Sequence, residues 1–152
     1  MPELPEVETI KSQLGKLITG KKIIDVKILL PKIVKLPANK FKKTIIGAKI
    51  KKINRRAKIL TIELDNGWTI LIHLKMTGQL IFISTFPGTI ENKHTHVIFK
   101  FSDRSRLIFN DLRQFGYVKL VKTQALDNFF LKEEIGPEPL EKDFILADFQ
   151  AI

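Results

Sequence analysis

One hairpin narrows the folds open to this chain. Ile59-Leu60-Thr61-Ile62-Glu63-Leu64 and Trp68-Thr69-Ile70-Leu71-Ile72-His73 are runs rich in strand formers, and Asp65-Asn66-Gly67 between them supplies the residues a tight reversal needs. Residues 22–30 and 48–53 are apolar-rich and lysine-punctuated. Gln79–Ile83, His96–Phe101, Arg106–Phe109 and Tyr117–Val121 are further strand candidates, with Ser102-Asp103-Arg104-Ser105 as a tight turn. Six or more short strands with turn punctuation imply a sandwich or barrel. The first segment differs: Val7, Ile10, Leu14, Leu17 and Ile18 recur at helical spacing. Pro5 suits its first turn, Glu6 and Glu8 complement the helix dipole, and Gly20 is a stop. Residues 31–46 and 84–92 read as loops, and Leu126–Glu133 as a short helix. The expected fold is mainly β with α: a two-layer β-sandwich with an N-terminal helix and short flanking helices. At 152 residues and 44% hydrophobic content, one domain with a real core is within reach.

The charge is lopsided. Net charge is +10; residues 9–60 hold 16 Lys or Arg against the single acid Asp25, whereas residues 127–152 hold seven acids against two lysines. A basic face of that size attracts a polyanion and releases counterions on binding nucleic acid. The plainer alternative is a lysine-rich surface that only keeps the chain in solution. No apolar run reaches the roughly 18 residues of a membrane helix, and no charged-then-apolar leader is evident. A cytoplasmic location is therefore expected. With no cysteine, a disulfide framework and a cysteine-ligated zinc are excluded. His94 and His96 are two apart and would share a strand face, but with three histidines in all no metal site is expected.

The chemistry concentrates in Met1-Pro2-Glu3-Leu4-Pro5-Glu6-Val7-Glu8. With Met1 removed, Pro2 becomes a secondary amine whose lone pair can attack a carbon electrophile and form an iminium. Glu3 stands beside it, and Glu6 follows; amine plus carboxylate is a nucleophile with its own proton donor and acceptor. The helix dipole favours the neutral amine while Glu3 and Glu6 oppose it. Read alone, the stretch is more simply a chance Met-Pro-Glu start with Pro5 opening a helix.

Taken together, the motifs decide more than any one of them. Pro2-Glu3-Leu4-Pro5-Glu6-Val7-Glu8, Arg55-Arg56-Ala57-Lys58, His73-Leu74-Lys75-Met76-Thr77-Gly78, Lys93-His94-Thr95-His96, Asn110-Asp111-Leu112-Arg113-Gln114-Phe115-Gly116 and Gly136-Pro137-Glu138-Pro139-Leu140 occur in this order. In that order and spacing the chain resembles the formamidopyrimidine-DNA glycosylases, bacterial repair enzymes for oxidised purines.

The resemblance implies a catalytic set of Pro2, Glu3 and Lys58, with Glu6 in support. Pro2 attacks C1′ of the damaged nucleotide, Glu3 protonates the opening sugar, and Lys58 contacts the phosphates that flank it. His73 and His94 become phosphate or backbone contacts. Met76, Arg113 and Phe115 fill the gap left by the flipped base, Arg113 facing the orphaned cytosine. As isolated residues Met76 and Phe115 would be core side chains, and Lys58 a solvated lysine. Asn110 and Asp111 stay outside the catalytic list: turn capping accounts for them as well as a direct role does, and Asp111 could orient Arg113.

The implied function is base-excision repair of 8-oxoguanine and formamidopyrimidine lesions, by proline Schiff-base glycosylase and β,δ-elimination lyase chemistry. No cofactor is implied for this chain. The partner is double-stranded DNA with oxidised or abasic lesions, with no membrane and a monomer expected. Residues 1–135 are expected to form the N-terminal catalytic domain, and 136–152 a linker and the start of a helical second domain. That domain would bear the family's helix–two-turn–helix and four-cysteine zinc finger, and their absence would weaken activity. Two other readings remain: a catalytically silent fragment that recognises damaged DNA, and a basic β-domain for another polyanion such as RNA.

Overall fold

The Asp65-Asn66-Gly67 turn closes as its composition requires. Gly67 takes φ +85°, Asn66 Oδ1 accepts the Trp68 N–H at 3.1 Å, and strands β3 (Ile59–Leu64) and β4 (Trp68–His73) pair antiparallel from Ile59↔His73 to Glu63↔Thr69. The computed structural model describes residues 3–84 and 91–132. The expected boundary near residue 135 and the segment 136–152 lie outside the described residues, as do Met1, Pro2 and residues 85–90 of the second expected loop.

Two antiparallel four-stranded sheets face each other. One has the order β1 (Ile23–Ile28), β6 (Thr95–Phe101), β7 (Arg106–Asp111), β5 (Gly78–Ile83); the other runs β2 (Ile50–Arg56), β3, β4, β8 (Tyr117–Lys122). Alternation sorts the faces. Leu60, Ile62 and Leu64 of β3 and Ile70 and Ile72 of β4 point inward, where they join Val97, Phe99, Phe101, Leu107 and Phe109 from the other sheet in one core. Phe41, Phe99, Phe101 and Phe109 are fully buried, and burying each stabilises the fold by about 1.5–3 kcal/mol. The expected two-layer sandwich is the observed one.

Helix α1 (Leu4–Ile18) buries Val7, Leu14 and Ile18 in that core and leaves Leu17 exposed. Its anchor is polar as well: Arg55 Nε, on β2, donates to Glu8 Oε1 at 2.7 Å, and Glu8 also pairs with Lys11. Helix α3 (Leu126–Lys132) covers the outer face of the second sheet, where Phe130 packs with Ile59 and Leu71. One expectation fails. Residues 31–46 are not all loop: Pro31–Ile33 forms a 3-10 turn and Ala38–Ile45 forms helix α2. Only Phe41 and Ile45 of α2 are buried, so an eight-residue helix with two inward side chains gave too little periodicity to detect.

Candidate functional site

The singled-out residues that the structure describes gather at one pole, where α1 starts, the β2–β3, β4–β5 and β7–β8 connections lie and the chain enters β6. Glu3 is the N-cap of α1, in extended conformation, and its side chain makes no capping hydrogen bond. The carboxylate is instead directed to Lys58 Nζ, 3.9 Å away. Lys58 sits in the two-residue turn between β2 and β3, where Arg56 pairs with Ile59 and Ala57 adopts φ +52°. Lys58 is thus at a hairpin tip. Pro2 lies outside the described residues, one residue before this pair.

His73 ends β4 beside the hairpin tip. Burial, then the charges of Lys75 and Lys58, push its pKa from 6.5 to about 4. Its Nδ1 accepts the Lys75 N–H at 3.1 Å, which leaves the proton of the neutral ring on Nε2 as a donor. The ring also packs against Tyr117, with centroids 5.5 Å apart.

The β4–β5 turn then carries Met76 outward. Lys75 takes φ +53°, and Gly78 N–H donates to Leu74 O at 2.8 Å. A Cβ on Gly78 would lie 2.5 Å from that oxygen, so no larger residue closes this turn unchanged. Met76 is 45% exposed and Phe115 53%, so neither is a core residue. Glu6 and Met76 line the same groove, with Ile10 and Thr77. Arg113 lies over the Phe115 ring, 5.0 Å from its centroid, in a β7–β8 loop whose Leu112 and Gln114 are also exposed.

One buried carboxylate joins the two outward loops. Asp111 is fully buried at the end of β7. Its Oδ1 accepts from Thr77 Oγ1 at 2.5 Å and from Arg113 N–H at 3.2 Å; its Oδ2 accepts from Gly116 N–H at 2.7 Å. Thr77 Oγ1 in turn accepts from Arg113 N–H at 3.0 Å. The loop that holds Arg113 and Phe115 is therefore tied to the turn that holds Met76. Asp111 caps a turn, as one reading of the sequence had it, and it also spans two turns.

The histidine pair separates. His94 lies in the turn before β6, half-exposed, and lines a groove with Thr77, Asn92, Asn110 and Leu112. His96 is buried in β6, and its Nε2 bonds the Asp111 carbonyl oxygen at 2.7 Å. The shared strand face expected for them does not form, because β6 begins only at Thr95. Among the described residues no group of three or more His, Cys, Asp or Glu side chains is placed to hold a metal.

Residues 1–118 match the profile of the formamidopyrimidine-DNA glycosylase N-terminal domain. The chain belongs to the formamidopyrimidine-DNA glycosylase family. It is 46% identical over 145 residues to the formamidopyrimidine-DNA glycosylase of Pelotomaculum thermopropionicum, covering 95% of this chain and 52% of that protein. It is 42% identical over 151 residues to that of Streptococcus mutans, covering 99% and 54%. Among solved structures it is similar to the Lactococcus lactis formamidopyrimidine-DNA glycosylase non-covalently bound to DNA containing an abasic site, with TM-score 0.88, 37% identity, and 98% of this chain and 56% of that one covered. The same enzyme in complex with FAPY-dG-containing DNA matches with TM-score 0.89. The chain spans about half the length of the relatives it matches.

Two parts of this glycosylase-family domain gave no sequence signal. The Arg55–Glu8 pair joins residues far apart in the chain, and so does the Thr77–Asp111 bond. Short polar residues near turns have many possible partners, and only the fold selects one. For Asp111 the available hint was its position ahead of a loop that ends in glycine.

Proposed function

We propose that this chain is the catalytic half of a base-excision repair enzyme for oxidised purines, acting on 8-oxoguanine, formamidopyrimidine and abasic sites in double-stranded DNA. The observation that carries this reading is the convergence at one pole of the Glu3–Lys58 pair, the neutral His73 and two exposed, mutually tied loops bearing Met76, Arg113 and Phe115. In this reading residues 1–135 form the catalytic domain and 136–152 lead into a second, helical domain. The protein acts as a monomer in the cytoplasm, at the nucleoid.

The chemistry follows from the groups in place. The Pro2 nitrogen, freed of Met1, attacks C1′, and the C1′–base bond breaks with its electron pair leaving on the base. Glu3 protonates the ring oxygen as the sugar opens to the iminium. Loss of a C2′ proton then expels the 3′ phosphate, and a second elimination expels the 5′ phosphate. Lys58 holds a flanking phosphate close to Glu3, and Glu6 supports proton movement from the first turn of α1. His73 donates from Nε2 to the backbone, and His94 contacts it from the turn before β6; such contacts position the duplex without reading its sequence. Met76, Arg113 and Phe115 enter the stack, and the arginine over an aromatic ring presents a flat, polar-edged wedge to the unpaired base. No cofactor takes part in these steps, and a zinc finger belongs to the family's other half.

A silent binding fragment is the competing reading, and the N-terminal amine separates the two. Acetylating the N-terminus abolishes nicking of abasic duplex DNA and leaves binding of that duplex within about twofold. Undiminished nicking by the acetylated chain would overturn the Pro2 mechanism. No nicking by an unmodified chain that still binds would favour the silent fragment.

A further inference from the structure

The lysine excess is not spent at the candidate site. Much of it collects at the opposite ends of the strands, six or seven residues and about 20 Å away. There Gly20-Lys21-Lys22 meets Lys49-Ile50-Lys51: Gly20 N–H donates to Ile50 O at 2.7 Å, Ile50 N–H donates to Lys21 O at 2.9 Å, and Lys22 pairs with Lys49 across an antiparallel bridge. The β6–β7 turn joins them, with Ser102 N–H donating to Lys22 O at 3.0 Å and Arg104 exposed beside it. The end of α2 is drawn in as Asn66 Nδ2 donates to Thr44 O at 2.8 Å, which brings Lys43 to the same end.

The acids at this pole neutralise little of that charge. Asp103 pairs with Lys21, and Glu63 with Lys52 at 3.4 Å. Asp65 spends its Oδ1 on the Lys49 backbone N–H. Among the described residues the side-chain cations of Lys22, Lys43, Lys49, Lys51 and Arg104 form no ion pair with a carboxylate, and all five residues are exposed. Like charges directly opposite on paired strands are destabilising, so Lys22 against Lys49 gains nothing for the fold. A polyanion that binds here relieves that repulsion and stabilises the folded chain by mass action.

We propose that this lysine-rich pole is a second duplex-DNA surface, distinct from the candidate site, that holds the phosphate backbone of another DNA segment without reading its sequence. Lysines on turns supply point charges for a phosphate backbone. Binding of unpaired strands rests instead on aromatic faces for base stacking, and the partly exposed Trp68 at this end already has Lys122 over its ring at 5.9 Å. The proposal stands on the lysine geometry and does not depend on the glycosylase reading of the other pole.

The test counts short lesion-free duplexes bound per protein at low salt by native mass spectrometry. It compares the unaltered chain, a pole variant (Lys22→Gln, Lys49→Gln, Lys51→Gln, Arg104→Gln) and a site variant (Lys58→Gln, Arg113→Gln). The expected result is two duplexes on the unaltered chain and one on each variant. The pole variant also lowers the slope of log K against log salt by about 2–4 and keeps abasic-site nicking within about twofold. Its thermal midpoint equals or exceeds that of the unaltered chain, which separates lost binding from lost folding. One duplex on the unaltered chain, lost only in the pole variant, upholds the pole and removes DNA from the reading of the site. One duplex lost only in the site variant, or in both variants, overturns the second surface. So does preference of the pole for RNA or single-stranded DNA over the duplex.

Discussion

Asp111 carries more of the site than any other single residue. Its two carboxylate oxygens hold the backbone of the Arg113 loop and the Thr77 hydroxyl, all within the protein. Asp111→Ala takes the partner from the buried Gly116 N–H and from the Thr77 hydroxyl and should lower unfolding free energy by about 2–4 kcal/mol, as read from urea denaturation. If Met76 and the Arg113 loop both enter the stack as proposed, excision of an oxidised base should fall further than cleavage of a preformed abasic site; equal losses would mean that the loops are not coupled through this residue. His73 sets a pH signature. Its folded pKa of about 4 lies below its unfolded value of 6.5, so the unfolded chain takes the proton first. Its contribution to stability is therefore whole above pH 6.5, is lost as pH falls from 6.5 towards 4, and is flat below that. His73→Gln should remove this part of the slope in urea midpoints measured across that range; an unchanged slope would assign it to other groups.

At the scale of elements, the turns decide where side chains go. Gly78 has no space for a Cβ beside Leu74 O, and Gly116 is hemmed by Asp111 Oδ2, His73 O and Phe109, each 2.8 Å from where a Cβ would stand. Gly116→Ala should cost about 1–3 kcal/mol from overpacking and displace the Arg113 loop. Gly15, inside α1 with open space where its Cβ would go, predicts the reverse: Gly15→Ala should stabilise by roughly 0.5–1 kcal/mol. Thermal unfolding of the two variants checks both signs. The strands were legible because alternation and the Asp65-Asn66-Gly67 turn act locally. Helix α2 was not, since its two buried residues are set by tertiary contact. The exposure of Met76 and Phe115 was readable only from motif context, because composition places a lone Met or Phe in a core.

Across the whole molecule, charge and chemistry divide between two ends of one sandwich. One end holds Glu3, Lys58, His73 and the two tied loops, and it is the end to which the proposed Pro2 chemistry is assigned. The other end gathers lysines of which, among the described residues, Lys21 and Lys52 pair with acids and Lys22, Lys43, Lys49 and Lys51 do not. The sequence carried the family and the sandwich, since motif order and strand pattern survive without coordinates. The division into two poles was not legible, because the lysines of residues 9–60 are dealt to both ends by strand direction. The central claim is that this chain carries the covalent chemistry itself. The most direct measurement is borohydride trapping on duplex DNA with an abasic site, after mass spectrometry has confirmed loss of Met1. An abasic site removes the need to recognise and flip an intact base. The account predicts a covalent protein–DNA complex that disappears in Pro2→Gly. No complex from a chain with free Pro2 that measurably binds the same duplex would contradict it.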